Sequence, residues 1–372
     1  MKRVVDIFGV ALAVMGLTLS AGVAVPSTNA RLRDLPPMSS SRAAHTMTTL
    51  EDGSALIVGG FIADEKQIAG VEMFDAKRRL FRTVRNAITP RHSHTATLLP
   101  NGRVLIAGGY DAQARRLDAA EIFDPATSQF VPAGRMTVPR ADHTAVPLRD
   151  GRVAIIGGSS TGWTILDSIE LYDPSTGEFT DLGRMNVPRM SNTSVLLRDG
   201  RIFIAAGRRG RGATLEIYRT TEIFDPATGR STRAADMHIA RHKHDAVVLA
   251  DGRVLITGGS DENDSHGRYD SAEIFDPVRN IFVPAARMRM ARYKHRGSSK
   301  LLPNGKALIA GGAAQAELYD PATDTFDLVA SASQLHGHFS AVGLLPDHRV
   351  LITGGYARPD SPSSGAWIYD EL

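Results

Sequence analysis

Short apolar runs broken at regular intervals by turn residues make up most of this chain. Thr95 to Leu99 is one run; Asn101-Gly102 turns it into Arg103-Val104-Leu105-Ile106-Ala107, and Gly108-Gly109 ends the second run. The same order returns at a spacing of about 49 residues, which marks stacked copies of one supersecondary unit. Glycine pairs stand at Gly59-Gly60, Gly108-Gly109, Gly157-Gly158, Gly258-Gly259, Gly311-Gly312 and Gly354-Gly355, with Ala206-Gly207 in the fourth of seven copies. Runs rich in Val, Ile, Leu, Thr and Phe are strand signals, and Asp-Gly or Asn-Gly between two of them is a hairpin signal. A second turn follows the third run at Asp124, Asp173, Asp225, Asp276 and Asp320, where proline presets φ and Asp bonds the backbone ahead. No helical periodicity shows beyond the first thirty residues, so the pattern predicts an all-β protein with four strands per unit.

Four antiparallel strands repeated radially make the blades of a propeller, which protects the free edges of a sheet. The unit resembles the Kelch family. The matching residues are the paired glycines, the Glu121-Ile122-Phe123-Asp124-Pro125 type of third strand, and an aromatic six residues past that Asp at Phe81, Phe130, Phe179, Phe282 and Phe326. Kelch repeats usually carry Trp there, so Phe departs from the pattern; Ser231 departs further, and the fourth blade is expected to be the loosest. The resemblance covers residues 31–372 and implies a single seven-bladed propeller. The seventh unit stops at Ala366-Trp367-Ile368-Tyr369-Asp370, a third strand without a fourth. Residues 31–38 have the spacing to supply it, since Leu32, Met38 and Arg42 are placed like Phe130, Met136 and Arg140.

Residues 1–30 follow a different rule. Met1-Lys2-Arg3, then an apolar stretch from Ile7 to Val25 and small residues at Ala24 and Ala30, read as a secretory signal peptide or an uncleaved N-terminal anchor. Export to the periplasm or the medium is therefore expected, with membrane association only if the segment stays on. The chain has no cysteine, which removes thiol catalysis and Cys-ligated zinc. A net charge of +3 without a basic stripe argues against nucleic acid.

Each unit opens with Arg-x-x-His. Arg42, Arg91, Arg140, Arg189, Arg241 and Arg292 recur with His45, His94, His143, His244, His295 and His338. A ring of imidazoles resembles a ligand set, but a residue present in every unit serves what every unit requires. The seventh unit lacks both the Arg, at Leu335, and the third-strand Glu, at Ala366; the other six keep Glu72, Glu121, Glu170, Glu222, Glu273 and Glu317. That joint loss predicts six Arg–Glu pairs with bidentate geometry, each tying the start of a blade to its third strand.

Function is expected on the face where loops vary, between second and third strands. In the fourth unit Asn192 replaces the histidine, and Arg208-Arg209-Gly210-Arg211 follows the glycine, a cationic loop able to receive a carboxylate, phosphate or acidic sugar. Trp163 is a candidate to stack on a sugar. Units six and seven carry two extra residues near the axis, predicting first-strand bulges and pointing Arg296 inward. Asp261, Glu262 and Asp264 offer oxygens of the kind calcium takes, without the spacing of a helix-flanked calcium loop, so they read as a solvated acidic loop or as neutralising the neighbouring arginines. No cofactor is implied. Galactose-oxidase-like copper-radical enzymes share the Kelch architecture, but their cofactor needs a Tyr crosslinked to Cys. The expected role is a non-catalytic binding scaffold for a protein, a carbohydrate or a small anion, with a sugar mutarotase or epimerase as the alternative.

Overall fold

The computed structural model describes residues 31–371 apart from 63–65, 67, 69, 86–87, 357 and 359–360, so residues 1–30, expected to be a signal peptide or an anchor, lie outside the described residues. Seven sheets of four antiparallel strands are arranged as a closed propeller. Blade two is representative: Thr95–Leu98 innermost, then Val104–Ala107, Ala119–Asp124 and Gln129–Arg135 at the rim. The second strand of every blade is buried on both faces, as in Val153–Ile156, because each blade is covered by a neighbour on either side. That is why these runs are continuously apolar and not alternating. The third strand keeps its Phe or Tyr against the rim aromatic; Phe123 and Phe130 lie 4.9 Å apart and Tyr319 and Phe326 4.7 Å.

Seven apolar clusters fill the seven gaps between blades. The cluster that closes the circle joins Leu351 and Ile368 of blade seven to Ile57 and Phe74 of blade one. Arg31–Leu35 completes blade seven, pairing antiparallel with Ala366–Asp370, and its other edge takes Ala330–Ser331 in parallel. The expected N-terminal closure is thus present. Blade four is not loose. Ser231 leaves its rim without an aromatic, but Phe203 on the second strand stacks on Phe275 of blade five at 4.3 Å, and Phe224 is fully buried.

Both glycines of each pair sit where the chains touch. A Cβ on Gly59 would stand 2.4 Å from the Arg91 carbonyl oxygen, and one on Gly60 2.7 Å from that of Ala43; both have positive φ. Ala206 keeps the left-handed backbone of the glycine it replaces, at φ 54°.

The six Arg–Glu pairs form, and all six guanidinium groups are fully buried. They are not bidentate. Arg42 gives Nη2 to Glu72 Oε1 at 2.7 Å, whereas Nη1 donates to the carbonyls of Gly59 at 3.1 Å and Gly70 at 2.9 Å. The second carboxylate oxygen of Glu72 accepts the Ser39 amide at 2.8 Å. Sharing the fork in this way satisfies strand-end carbonyls that a second Arg–Glu bond would leave unpaired. In blade seven Leu335 and Ala366 fill the same place as buried apolar groups.

Candidate functional site

The third residue of each Arg-x-x-His adopts the left-handed backbone. Ala44, Ser93, Asp142, Ser191, Lys243, Lys294 and Phe339 have φ between 51° and 56°. Each donates its amide to the carbonyl of the equivalent residue one blade earlier, from Ser93 to Ala44 at 3.3 Å round to Phe339 on Lys294 at 2.8 Å. Ala44 donates to Phe339 at 3.1 Å and shuts the circle. Seven non-glycine residues held at positive φ around one axis are an uncommon backbone state, and such states gather at functional sites. The backbone is uniform while the side chains vary among Ala, Ser, Asp, Lys and Phe.

Below this annulus the first strands enclose an axial cavity of about 570 Å³ that opens on the variable-loop face. The Asp-Gly and Asp-Pro turns lie together elsewhere, as Asp251, Gly305 and Pro321 do around a shallow surface pocket. One side of the mouth is aromatic. His92 stacks on Tyr110 with ring centres 5.1 Å apart, Phe61 meets His92 edge-on at 5.5 Å, and Tyr356 lies 6.3 Å from Phe61 and 6.0 Å from Phe339. Four cations share the lining, Arg208, Lys243, Lys294 and Arg296, and Lys294 lies over the Phe339 and Tyr356 rings at 5.3 and 5.6 Å. Two carboxylates, Asp142 and Asp245, share it. Lys243 pairs with Asp264 at 2.6 Å, and Lys294 donates to the Tyr356 hydroxyl at 2.9 Å. The Tyr110 hydroxyl donates to Asp142 at 3.0 Å; burial first, then the Asp142 charge, pushes that phenol up.

The two extra residues of unit six produce an excursion before the strand. Ser299–Leu301 and Ala307–Ile309 pair in regular register, so no bulge forms there, and the register shifts fall instead in the outer pairs of blades two and three. Asp245 holds the excursion: its two oxygens accept the amides of Gly297 and Ser299, both at 2.7 Å. Burial raises the Asp245 carboxyl above its ordinary range, against the pull of the Gly297 amide and Lys300. Arg296 is thereby turned across the axis, where Nη1 donates to the Asp142 carbonyl of blade three at 3.2 Å.

The repeated histidines are blade-to-blade ties, and His45, His94 and His143 also border the cavity. Each imidazole spans to the preceding blade: His94 to Thr46 at 2.9 Å, His143 to Thr95 at 3.0 Å, His244 to Thr193 at 2.9 Å. His45 reaches Thr353 at 2.9 Å, and His295 reaches Thr257 at 3.2 Å because Asp245 occupies the usual threonine position. His338 does not belong to this set. In unit seven the extra residues precede the left-handed Phe339, so His338 bridges to Tyr356 as His92 does to Tyr110, and Ser340 takes the buried place.

Of the residues singled out from sequence, Arg208 and Arg296 line the cavity. Asn192 is fully buried behind it and gives its Nδ2 to Ser194. Arg209 is exposed and paired with Glu216 at 2.7 Å. Trp163, 38 % exposed, carries the Arg116 guanidinium at 4.6 Å and that of Arg211 at 4.9 Å over its ring. Asp261 shapes its own loop by accepting the Asn263 amide, and Asp264 neutralises Lys243, not the arginine loop. Among the described residues no three His, Cys, Asp or Glu side chains are placed to hold a metal ion. The left-handed position and the aromatic after the glycine pair in units one, two and seven, Phe61, Tyr110 and Tyr356, were missed in the sequence; their signal is variability inside a fixed motif.

Comparison with known proteins follows these geometric lines. The Kelch motif model matches residues 91–137, 139–186 and 246–289. No curated protein matches the chain. Among solved structures, a fungal alcohol oxidase of the AA5 family, in complex with copper, superposes with a TM-score of 0.70 at 16 % identity, over 91 % of this chain and 75 % of that one. That likeness is one of fold. With the motif matched in three units, and glycine pairs and Arg–Glu ties each in six of the seven four-stranded blades, the chain is a seven-bladed β-propeller that contains Kelch motifs.

Proposed function

We propose that this chain is a binding module that takes its ligand or partner segment into the mouth of the axial cavity, and that it works after export directed by residues 1–30. The observation that carries the reading is the annulus from Ala44 to Phe339, one backbone conformation repeated seven times with five kinds of side chain above one cavity. A rigid scaffold that varies only the groups it presents is how binding sites are built on repeat folds. Catalysis is less well supported. Ring-opening chemistry on a sugar needs an acid and a base facing each other, yet Asp245 is engaged by two amides and each of the five inter-blade histidines is tied to a threonine. The copper of the AA5 neighbour has no matching donor set here, because the chain lacks cysteine and no trio of metal-binding side chains converges among the described residues.

The absence of cysteine makes a clean test. Ser93→Cys places a single thiol on the annulus, and Val278→Cys places one on an exposed turn, at 92 % exposure. Thermal shift against a panel of monosaccharides, uronic acids, aromatic acids and short peptides identifies binders of the unlabelled protein. A bulky maleimide at position 93 is expected to abolish every such shift, and the same label at 278 to leave it unchanged. Binding that survives the label at 93 would place the site elsewhere.

A further inference from the structure

Four cations line the axial cavity against two carboxylates, Asp142 and Asp245, and three of the four make no direct ion pair: Arg296 has the Asp142 and Asp245 charges near it and Lys294 that of Asp264, none in contact. Among the described residues Arg208, Lys294 and Arg296 form no ion pair; their polar contacts are the Gly210 carbonyl at 3.0 Å, the Tyr356 hydroxyl at 2.9 Å and the Asp142 carbonyl at 3.2 Å. Elsewhere the chain pairs its cations freely, and all six fully buried arginines sit on glutamates. Cations withdrawn from water without an anion are costly, so a group of them around one cavity favours an incoming negative charge. Low-dielectric walls strengthen that attraction.

The Arg296 excursion adds a second, independent observation. Units five and six break the repeat together. Asp245 stands where Thr46, Thr95, Thr144 and Thr193 stand in other blades, His295 is diverted to Thr257, and two added residues fold over the Asp245 carboxylate. The joint effect of these departures is to hold a guanidinium inside the lumen, with one nitrogen on the far wall and the rest of the fork available. A guanidinium fork matches a carboxylate or phosphate in a plane. Next to it, where Tyr110 donates to the side chain of the same Asp142, His92, Tyr110, Phe61 and Tyr356 form a continuous ring-lined wall. Such a wall fits a flat or cyclic body, which the cations alone would not select.

Resting on the binding reading above, we propose that the axial cavity is a site for a small organic anion: an anionic oxygen group held by Arg296 with Arg208 and Lys294, carried on a ring that packs against the aromatic wall. Asp245 is a positioning residue that aims Arg296.

Isothermal titration of the full chain uses benzoate and glucuronate as ring anions, benzyl alcohol and glucose as their uncharged counterparts, and inorganic phosphate as the anion without a ring. At least one ring anion is expected to bind at millimolar concentration or below, its uncharged counterpart and phosphate at least about tenfold more weakly. Arg296→Gln is expected to weaken the ring anion at least about tenfold while Arg209→Gln, at the exposed pair with Glu216, leaves it unchanged. Asp245→Asn keeps the shape but weakens the grip on the excursion, and is expected to lower affinity with its Arg296 intact. Equal binding of the uncharged counterpart, full affinity in Arg296→Gln, or no binding of either ring anion overturns the proposal; phosphate binding as well as the ring anions overturns the role of the aromatic wall. The label at Ser93→Cys separates the two readings. If it blocks a neutral binder the cavity is the site and the anion assignment is wrong, and if it blocks nothing the site itself is wrong.

Discussion

Glu170→Ala should destabilise the propeller by about 3–5 kcal/mol, the range for removing one partner of a buried ion pair. The Arg140 guanidinium that remains is fully buried and would keep the carbonyls of Gly157 at 3.1 Å, Ser168 at 3.2 Å and Val138 at 3.4 Å and the Ser168 hydroxyl, with no counter-charge. Arg140→Leu leaves the opposite orphan, a carboxylate on the amides of Thr137 and Val138. The double substitution is the informative one, because blade seven already has Leu335 and Ala366 in these positions, both buried. Replacing both partners by apolar groups removes the unpaired charge, so the double variant should be less destabilised than the sum of the singles by at least about 2 kcal/mol. Urea unfolding of the four proteins gives the coupling directly. A coupling under about 0.5 kcal/mol would mean that the joint loss in unit seven is coincidence.

That pairing was legible before any coordinate because two residues vanish together in one copy of a repeat, and a repeat offers seven trials of each interaction. The strands, the hairpins and the closing role of Arg31–Leu35 were legible for the same reason: period and turn chemistry are local. What the sequence hid is what depends on the axis. Asn192 looked like a site residue because it breaks the motif, but it is a repair: with Ser194 it restores the link to Thr144 that the missing imidazole would have made. Lys243 and Lys294 looked like filler inside Arg-x-x-His, yet the left-handed turn presents them to the lumen. Unit seven was misaligned by two residues, since an insertion before Phe339 and one after Lys294 give the same unit length. Only the closed circle of amide–carbonyl bonds tells them apart.

The inter-blade histidines make the fold acid-labile. His45, His94, His143, His244 and His295 are at most 6 % exposed, and burial, helped by the arginine three residues earlier, holds each well below its ordinary value, His295 at about 3. The folded chain therefore keeps them neutral where the unfolded chain protonates. With the folded pKa depressed, the stabilisation is complete above the unfolded value near 6.5 and is lost as pH falls from there toward the folded values. Each ring costs about 1.4 kcal/mol per pH unit in that window, so five acting together cost about 7 kcal/mol per unit at the upper bound. Against a stability on the order of 5–15 kcal/mol, unfolding is expected within about two units below pH 6.5. Blade four supplies the control. His143→Asn with Ala145→Ser copies Asn192 and Ser194, and the same exchange at His94 and Ala96 makes a second copy. His242, held at about 3, and His338, at about 4, add to the same slope, so urea unfolding between pH 7.5 and 5 should show the slope of stability against pH falling by about one seventh with the first exchange and about two sevenths with both. An unchanged slope would assign the acid lability to other groups.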